Sequence, residues 1–393
     1  MKYRVLVVDD SVVMRRIVRQ SLESDPEIEV AGVAANGRIA LAMVEQCAVD
    51  AITLDIEMPD MDGLETLRAL RARGIRTPVI MFSTLTERGA LATLDALAAG
   101  ADDYVAKPAN VGSVQDSMLR IRLDVIPKLK ALCWKGKGCS ITPAPANKLT
   151  GANRSGNLAT AFKSTIQPIS ISEQRVDIVA IGTSTGGPNA LAEVLPHLPA
   201  NFPVPIVIVQ HMPPTFTRFL AERLTASSSL EVKEGLSGAS IAPGQAWIAP
   251  GDFHMNLRRE DASVRLSVFQ AAHENSCRPS VDVLFRSVAE VFRQNVLAVV
   301  MTGMGQDGLR GCEHIKEAGG QVIVQDEASS VVWGMPGFVA KAGLASCILP
   351  LTEIADEIAR RVTRGRLVPP RASPIKGDLE PACRRSQGGE YGA

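Results

Sequence analysis

The sequence lacks the features on which membrane and secreted proteins depend. Across its 393 residues no run approaches the roughly 18 consecutive apolar residues that a membrane-spanning helix requires. The first residues, a short apolar run leading into Asp9 and Asp10, are too few and too acidic for a signal peptide. The formal net charge is zero, so no general attraction to nucleic acid or to an anionic membrane is indicated. We expect a cytoplasmic protein with no nucleic-acid partner and no membrane insertion.

Paired cysteines and aromatic residues are also scarce. The seven cysteines are scattered and odd in number, and no two have CxxC spacing, so neither a disulfide framework nor a zinc site is predicted. Aromatic residues make up 4% of the chain, whereas 46% is hydrophobic and 21% charged, which is typical of soluble globular proteins. At 393 residues the chain is too long for one ordinary core, which predicts two domains.

Residues 1–126 alternate short apolar runs with amphipathic segments of helical periodicity. The apolar runs lie at 5–8, 28–33, 51–54, 78–82 and 103–105, and the helical patterns at 11–24, 37–46, 63–73, 87–98 and 113–126. Five such βα units predict a parallel sheet covered on both faces. The alternation returns in residues 176–364, with apolar runs at 177–181, 205–209, 246–249, 296–301 and 321–324. These runs predict a second, doubly wound α/β domain with a mostly parallel sheet.

Two segments lack this alternation. Residues 127–175 are rich in Gly, Pro, Ser, Thr, Asn and Ala, and residues 127–174 carry seven basic residues against the single acid Glu173. We interpret this segment as a flexible basic linker, with a solubilising tether favoured over a dedicated anion-binding site. Residues 365–393 are rich in Pro, Arg, Gly and Ser and are predicted to form a disordered tail.

Polar side chains follow the predicted strands of the first domain. They are Asp9 and Asp10 after the first strand, Asp55 after the third, Ser83 after the fourth and Lys107 after the fifth. In a doubly wound sheet these carboxyl ends form one edge, where ligands bind. Three carboxylates would repel one another there, and oxygen ligands of this kind favour Mg²⁺. The sequence therefore predicts that Asp55 attacks a phosphoryl group, with Mg²⁺ and Lys107 neutralising the charge.

These residues resemble the receiver domain of response regulators. The resemblance runs from Val7-Val8-Asp9-Asp10-Ser11 through Asp55-Ile56-Glu57-Met58-Pro59 and Asp62-Gly63 to Ser83 and Lys107-Pro108. It implies that Asp55 is the phospho-acceptor, that Asp10, Asp55 and the Glu57 carbonyl bind Mg²⁺, and that Asp9 contributes through water. Ser83 stands where many receivers have Thr. Tyr104 stands at the aromatic switch position, although a packing role for this ring is an equally good interpretation.

In the second domain, Gly182-Thr-Ser-Thr-Gly-Gly187 follows a buried strand just where a helix begins. Such a turn serves as a dinucleotide site, a phosphate-binding P-loop or a nucleophile elbow. The next strand ends in Gln210-His211 rather than in the acid that binds a ribose, which argues against a dinucleotide. Gly187-Pro188 replaces the Gly-Lys of a P-loop. The pattern G-x-S-x-G, with Ser184 at its centre, favours the nucleophile.

A serine nucleophile needs a base and a group that orients the base. His211 and Asp307 follow two other predicted strands, so a parallel sheet brings both to the edge that carries Ser184. The chain order Ser, His, Asp differs from that of α/β-hydrolases, and that fold is not implied. The remaining histidines are expected to be solvated or hydrogen-bonded locally. They are His197, His254, His273 and His314.

These motifs resemble the chemotaxis methylesterase family, CheB. The matching segments are Gly182-Thr-Ser-Thr-Gly-Gly187, Gln210-His211-Met212-Pro213 and Thr302-Gly-Met-Gly-Gln-Asp-Gly308. The resemblance implies hydrolysis of glutamate γ-methyl esters on chemoreceptors and deamidation of certain receptor glutamines. It makes Ser184 the nucleophile, His211 the base and Asp307 its orienting group. The Met304 N–H, with Thr185 nearby, is implied to hold the oxyanion, and no cofactor is expected for this chemistry.

The resemblance also implies regulation. In this family the unphosphorylated receiver packs over the catalytic face, and phosphorylation by a histidine kinase relieves the block. Two alternatives remain open at the level of sequence. One is a non-catalytic response regulator whose second domain is a phosphorylation-gated binding module. The other is a related esterase that serves a sensory pathway other than flagellar chemotaxis.

Overall fold

The computed structural model describes residues 2–107, 114–137, 174–261 and 263–364. In the first domain five strands alternate with five helices. They are β1 Tyr3–Val8, α1 Val12–Glu23, β2 Ile28–Ala34, α2 Gly37–Gln46, β3 Ala51–Asp55, α3 Gly63–Ala72, β4 Val79–Ser83, α4 Glu87–Ala98, β5 Asp103–Ala106 and α5 Val114–Lys137.

The five strands form one parallel sheet in the order β2-β1-β3-β4-β5. Every residue of the central strands β3 and β4 is buried, because helices cover both faces of the sheet. This explains why these strands read as continuous apolar runs rather than as alternating patterns. The predicted (βα)₅ fold is confirmed, and the carboxyl ends of all five strands lie along one edge.

The helix α5 extends beyond the predicted domain boundary. The linker was expected to begin at Pro127, but the structure continues the helix through this proline to Lys137. Leu129 and Leu132 are buried, so packing of the helical face outweighs the backbone hydrogen bond that a proline inside a helix removes. The remainder of the predicted linker up to residue 173, and the predicted tail 365–393, lie outside the described residues.

The second domain contains nine strands and six helices in its described part. They are β6 Ile178–Thr183, α6 Gly187–Val194, β7 Ile206–Gln210, α7 Phe216–Ser227, β8 Glu231–Glu234, β9 Gln245–Ile248, β10 His254–Glu260, β11 Ser263–Phe269, α8 Val281–Phe292, β12 Val296–Val300, α9 Leu309–Glu317, β13 Gln321–Gln325, α10 Met335–Lys341, β14 Cys347–Leu349 and α11 Leu351–Thr363. Across all the described ranges, no helix is both long and apolar enough to cross a membrane.

Seven of these strands form a parallel sheet in the order β14-β13-β12-β6-β7-β9-β8. The strands β10 and β11 pair separately as an antiparallel hairpin, so the prediction of a mostly parallel α/β domain is confirmed. The strand β6 is central, with β7, β9 and β8 on one side of it and β12, β13 and β14 on the other. The neighbours β7 and β12 therefore carry their following loops to the two sides of the turn after β6.

The two domains pack against each other through the first residues of β5 and the helix α4 of the receiver. The ring of Tyr104 stacks on that of Phe216, with centroids 5.2 Å apart and planes 7° from parallel. Thr185 Oγ1 donates a hydrogen bond to Asp103 Oδ2 over 2.9 Å, and both residues are buried. Asn189 Nδ2 donates to the Leu97 carbonyl over 3.0 Å. The receiver is thus attached directly beside Ser184.

Candidate functional site

The acidic residues of the receiver domain meet at the carboxyl ends of β1 and β3. Carboxylate oxygens of Asp9, Asp10 and Asp55 lie within 4.8 Å of one another. Asp9 and Asp55 are buried, whereas Asp10 is exposed. Three converging carboxylates, one of them open to solvent, are a donor set suited to a hard divalent cation. The residues therefore fit the predicted Mg²⁺.

Lys107 reaches into this cluster from the end of β5. Its Nζ lies 2.6 Å from Asp55 Oδ2 and 3.2 Å from Asp9 Oδ2. Burial raises the pKa of Asp55 to about 6, although the ion pair with Lys107 favours the ionised carboxylate. The Glu57 N–H donates to Asp55 Oδ1 over 3.2 Å, and the Glu57 side chain is exposed. Metal binding by the Glu57 carbonyl stays a prediction.

Ser83 and Tyr104 lie on neighbouring strands beside this cluster but face different partners. The buried Ser83 hydroxyl donates to the Gly89 carbonyl over 3.0 Å and accepts from Thr93 Oγ1 over 2.7 Å. Both partners belong to α4. The Tyr104 ring is buried against Phe216 of the second domain. In this arrangement the switch residues thus contact α4 and the domain interface rather than Asp55.

In the second domain, Ser184 follows β6 at the start of a tight turn into α6. Gly186 has a φ of 76°, which lies in the left-handed region that glycine adopts without strain. The Ser184 N–H donates to the Thr302 carbonyl over 3.0 Å, which fixes the turn to the loop after β12. Gly303 in that loop has no room for a side chain, since a Cβ there would lie 2.8 Å from Ser184 Cβ.

Gln210, which the sequence analysis did not assign, clamps the same turn. Its Oε1 accepts from Thr183 Oγ1 over 2.7 Å, and its Nε2 donates to the Ser184 carbonyl over 3.0 Å. The side chain is buried, so losing these bonds would leave polar groups unsatisfied in the interior. The signal in the sequence was the polar residue Gln210 at the end of an otherwise apolar run, immediately before His211.

His211 and Asp307 form a hydrogen-bonded pair. His211 Nε2 lies 2.9 Å from Asp307 Oδ2, and the His211 side chain is 14% exposed. Burial opposes a charge on the ring, but the bond to Asp307 and the adjacent Cys277 outweigh it and raise the pKa of His211 above its ordinary value. In the neutral ring, the carboxylate thereby fixes Nε2 as the protonated nitrogen and leaves Nδ1 as the acceptor.

Asp307 is held at the amino terminus of α8. The N–H groups of Val281 and Asp282 donate to its two carboxylate oxygens over 2.7 and 3.1 Å, and Ser280 Oγ donates over 2.8 Å. Burial favours the neutral acid, yet these bonds and His211 lower the pKa of Asp307 to about 2. Asp282 in turn accepts from the Gly308 N–H over 2.9 Å. Sequence analysis missed this support, although Ser280-Val-Asp282 at a helix start was its signal.

The structure brings the predicted residues of this site to one edge of the sheet, but not all of them are hydrogen-bonded to one another. Within the described residues, the Ser184 hydroxyl makes no hydrogen bond to His211, and His211 Nδ1 instead lies 3.6 Å from Cys277 Sγ. Such contacts are often long before substrate binds. Met304 lies two residues beyond Thr302 and packs against an apolar cluster that joins the receiver core to Val332. The Thr185 hydroxyl donates its hydrogen bond to Asp103 of the receiver.

The other histidines are bound locally or exposed. His197 Nδ1 lies 2.6 Å from the Glu193 carbonyl, and His314 Nδ1 lies 2.7 Å from the Arg310 carbonyl. His254 Nε2 lies 3.0 Å from the carbonyl of Ala272. His273 is exposed.

Comparison with known proteins finds two family models that match this chain. The family model of the CheB methylesterase matches residues 179–358, and that of the response regulator receiver domain matches residues 5–118. A curated relative from Trichodesmium erythraeum (strain IMS101) is named protein-glutamate methylesterase/protein-glutamine glutaminase. It is 52% identical over 361 residues, which cover 92% of this chain and 99% of the relative. The chain belongs to the CheB methylesterase family.

Other family members are similar over the same span. A protein-glutamate methylesterase/protein-glutamine glutaminase from Azospirillum brasilense is 42% identical over 375 residues, covering 92% of this chain and 93% of the relative. The crystal structure of the Thermotoga maritima CheB methylesterase catalytic domain is 44% identical, covers 47% of this chain and 98% of its own, and has a TM-score of 0.47. Membership in the CheB family confirms the resemblance found in the sequence and the expectation of a hydrolase.

Proposed function

We propose that this chain is a phosphorylation-activated hydrolase that demethylates glutamate γ-methyl esters on chemoreceptors and deamidates specific receptor glutamines. One observation carries the proposal. The turn after the central strand β6 presents Ser184 between two loops that hold His211 and Asp307 as a hydrogen-bonded pair. The names of the relatives supply the substrate class, and the receiver domain supplies the link to a histidine kinase in the cytoplasm.

In the proposed reaction Ser184 Oγ attacks the ester carbonyl carbon while His211 Nδ1 takes the hydroxyl proton. Asp307 stabilises the charged ring through Nε2. Collapse of the tetrahedral intermediate breaks the bond to the methoxy group, which leaves as methanol with the proton from His211. Water then attacks the acyl-enzyme by the same route and releases glutamate. A glutamine side chain loses ammonia in place of methanol.

The negative oxygen of the intermediate needs hydrogen-bond donors close to Ser184. The Met304 N–H is suited to this role, because it donates to no other described residue and follows the loop that contacts Ser184 through Thr302 and Gly303. Thr185 is the second predicted donor. Preorganised donors of this kind are worth roughly 10²–10³ in rate each.

The receiver obstructs both sides of this site in the present arrangement. It holds the Thr185 hydroxyl through Asp103, and its apolar core forms one cluster with Val332, against which Met304 and Val331 pack. We infer that this packing keeps a large protein substrate away from Ser184. We propose that this is the inactive state and that phosphorylation of Asp55 separates the domains.

For phosphorylation, a carboxylate oxygen of Asp55 attacks the phosphorus of the kinase's phosphohistidine, the P–N bond breaks, and the histidine leaves as the free imidazole. Asp10, Asp55 and the Glu57 carbonyl would hold Mg²⁺, with Asp9 acting through water. Bound there, the ion would neutralise charge on the phosphoryl oxygens. Lys107 is placed to bind one of those oxygens, because its Nζ already contacts Asp55.

Ser83 supports a route from Asp55 to the interface. A phosphoryl group on Asp55 offers the Ser83 hydroxyl a new acceptor, and taking it breaks the bond to Gly89 in α4. The helix α4 carries Asp95 and Leu97, which bind the second domain through Arg223 and Asn189. A shift of α4, with movement of Tyr104 away from Phe216, would loosen the domain contact.

Replacement of the proposed nucleophile tests this function. Ser184→Ala should abolish methanol release from methylated receptor membranes and leave Asp55 phosphorylation intact, whereas the control Ser229→Ala, which changes an exposed serine, should retain turnover. Full hydrolysis by Ser184→Ala would refute the nucleophile. If wild-type protein takes up phosphate but releases no methanol, the non-catalytic binding module would replace this proposal.

A further inference from the structure

A cavity of about 550 Å³ opens between the two domains beside the proposed catalytic base. Its walls include Tyr104 and Lys128 of the receiver, and His211, His273 and Cys277 of the second domain. Hydrolysis as proposed above requires no thiol. Cys277 nevertheless contacts the nitrogen of His211 that does not bind Asp307, with 3.6 Å between Sγ and Nδ1. The cavity leaves room for solvent next to this pair.

The spacing of the two atoms suits a shared metal ion. Zinc binds sulfur at about 2.3 Å and imidazole nitrogen at about 2.0–2.1 Å. With these bond lengths, a separation of 3.6 Å corresponds to an S–Zn–N angle of about 110°, which is close to tetrahedral. The separation of the two atoms therefore already matches that of two ligands on one zinc ion. Thiolate and imidazole are also the donor pair that selects zinc over magnesium or calcium.

The surroundings of His211 match those of metal-bound histidines. In such sites the second ring nitrogen donates to a carboxylate, which fixes the tautomer and makes the ligating nitrogen more basic. Asp307 supplies this carboxylate through the 2.9 Å bond to Nε2. A carboxylate oxygen of Asp307, the sulfur of Cys277 and a ring nitrogen of His211 all lie within 4.8 Å of one another.

We propose that Cys277 Sγ and His211 Nδ1 form a Zn²⁺ site whose occupation inhibits the hydrolase. On binding, the thiol loses its proton to solvent, a Zn–S bond forms, and the Nδ1 lone pair enters a Zn–N bond. Water in the cavity completes the coordination. Two protein ligands make the site exchangeable rather than structural, so a chelator reverses the inhibition.

The metal site follows from the geometry, whereas its inhibitory effect rests on the proposed role of His211. The lone pair that binds zinc is the one that would accept the Ser184 proton. Zinc and catalysis are therefore mutually exclusive.

Cobalt titration of the metal-free, reduced full-length chain tests the binding. Co²⁺ bound to a thiolate gives a sulfur-to-metal absorption band in the near ultraviolet, and the carboxylate cluster of the receiver contains no thiol to produce one. We expect the band in the wild type and in the control Cys347→Ser, which changes another partly exposed cysteine. We expect its loss in Cys277→Ser.

Zn²⁺ inhibition of methanol release is measured in parallel, with each variant compared to its own metal-free rate. Loss of an outer partner typically weakens metal affinity about 10–100-fold, and loss of a direct ligand should cost at least as much. Cys277→Ser should therefore need at least about tenfold more Zn²⁺ for half-inhibition. A band that survives in Cys277→Ser would overturn the site. If the band depends on Cys277 but Zn²⁺ does not inhibit methanol release, the proposed inhibition is wrong, and the role of His211 as the base is contradicted.

Discussion

Replacing Asp103 tests whether the receiver holds the hydrolase inactive. Asp103 Oδ2 accepts the buried Thr185 hydroxyl across the domain interface and also pairs with Lys128 inside the receiver at 2.8 Å. In Asp103→Ala the bond to Thr185 is lost only from the closed state, because in the open state water solvates both groups. The ion pair with Lys128 lies within the receiver and is lost from both the closed and the open state. To a first approximation, its loss therefore does not change the free-energy difference between the two states.

The size of the effect follows from the character of the lost bond. A hydrogen bond to a charged group contributes about 1.5–3 kcal/mol. At about 1.4 kcal/mol per factor of ten, the closed state should lose roughly 10- to 150-fold in relative population. The methanol-release rate of the unphosphorylated protein should rise by up to that factor. It should not exceed the rate of the phosphorylated wild type, which sets the ceiling.

The exposed ion pair between Asp95 and Arg223 provides a matched control. It spans the same interface at 2.7 Å, but the two side chains are 54% and 39% exposed. Such pairs contribute about 0–1 kcal/mol, so Asp95→Ala should raise the unphosphorylated rate by at most about fivefold. The rates are measured on receptor membranes with and without a small-molecule phospho-donor. An unchanged unphosphorylated rate in folded Asp103→Ala protein would refute the reasoning.

Two further predictions concern the catalytic edge. First, kcat/KM should fall as the pH is lowered, because protonated His211 cannot accept the Ser184 proton, and the midpoint should lie above the ordinary histidine range. Asp307→Asn should move that midpoint down and lower kcat by roughly 10⁴-fold, and an unmoved midpoint in the pH profile would contradict the pairing. Second, Gly303→Ala should lower kcat by roughly 10²-fold, because its Cβ would lie 2.8 Å from Ser184 Cβ and displace the nucleophile. Asp55 phosphorylation should be unaffected in Gly303→Ala, and normal turnover would show that the loop yields without moving Ser184.

The sequence predicts the sheet cores well because parallel strands are buried on both faces. The runs that form β3, β4, β6, β7 and β12 are almost wholly apolar, and each was located within a few residues. The strand β8 was not predicted, because its sequence Glu-Val-Lys-Glu contains one buried residue. The hairpin β10–β11 was missed for a related reason, since charged residues end β10 and much of β11 is only partly buried.

The predicted site residues reach the expected edge because each directly follows a strand. The residue types of their supports are visible in the sequence, but the contacts themselves could not be read from it, since they join residues far apart in the chain. Gln210 bonds Thr183 across 27 positions, and Asp307 accepts from Val281 across 26. Cys277 meets His211 across 66 positions, so spacing patterns gave no indication of this pair. The partner of Asp103 depends on how the domains pack, which no local pattern encodes.

The central claim is that Ser184 is a nucleophile whose access depends on phosphorylation of Asp55. Its most direct test is covalent labelling of the full-length chain with a fluorophosphonate, followed by mass spectrometry of the modified peptide. The account predicts an adduct on Ser184 that forms faster with a phospho-donor in the wild type but not in Asp55→Asn, and much more slowly in His211→Ala. Labelling at a different serine, or a rate at Ser184 that ignores the phospho-donor, would contradict it.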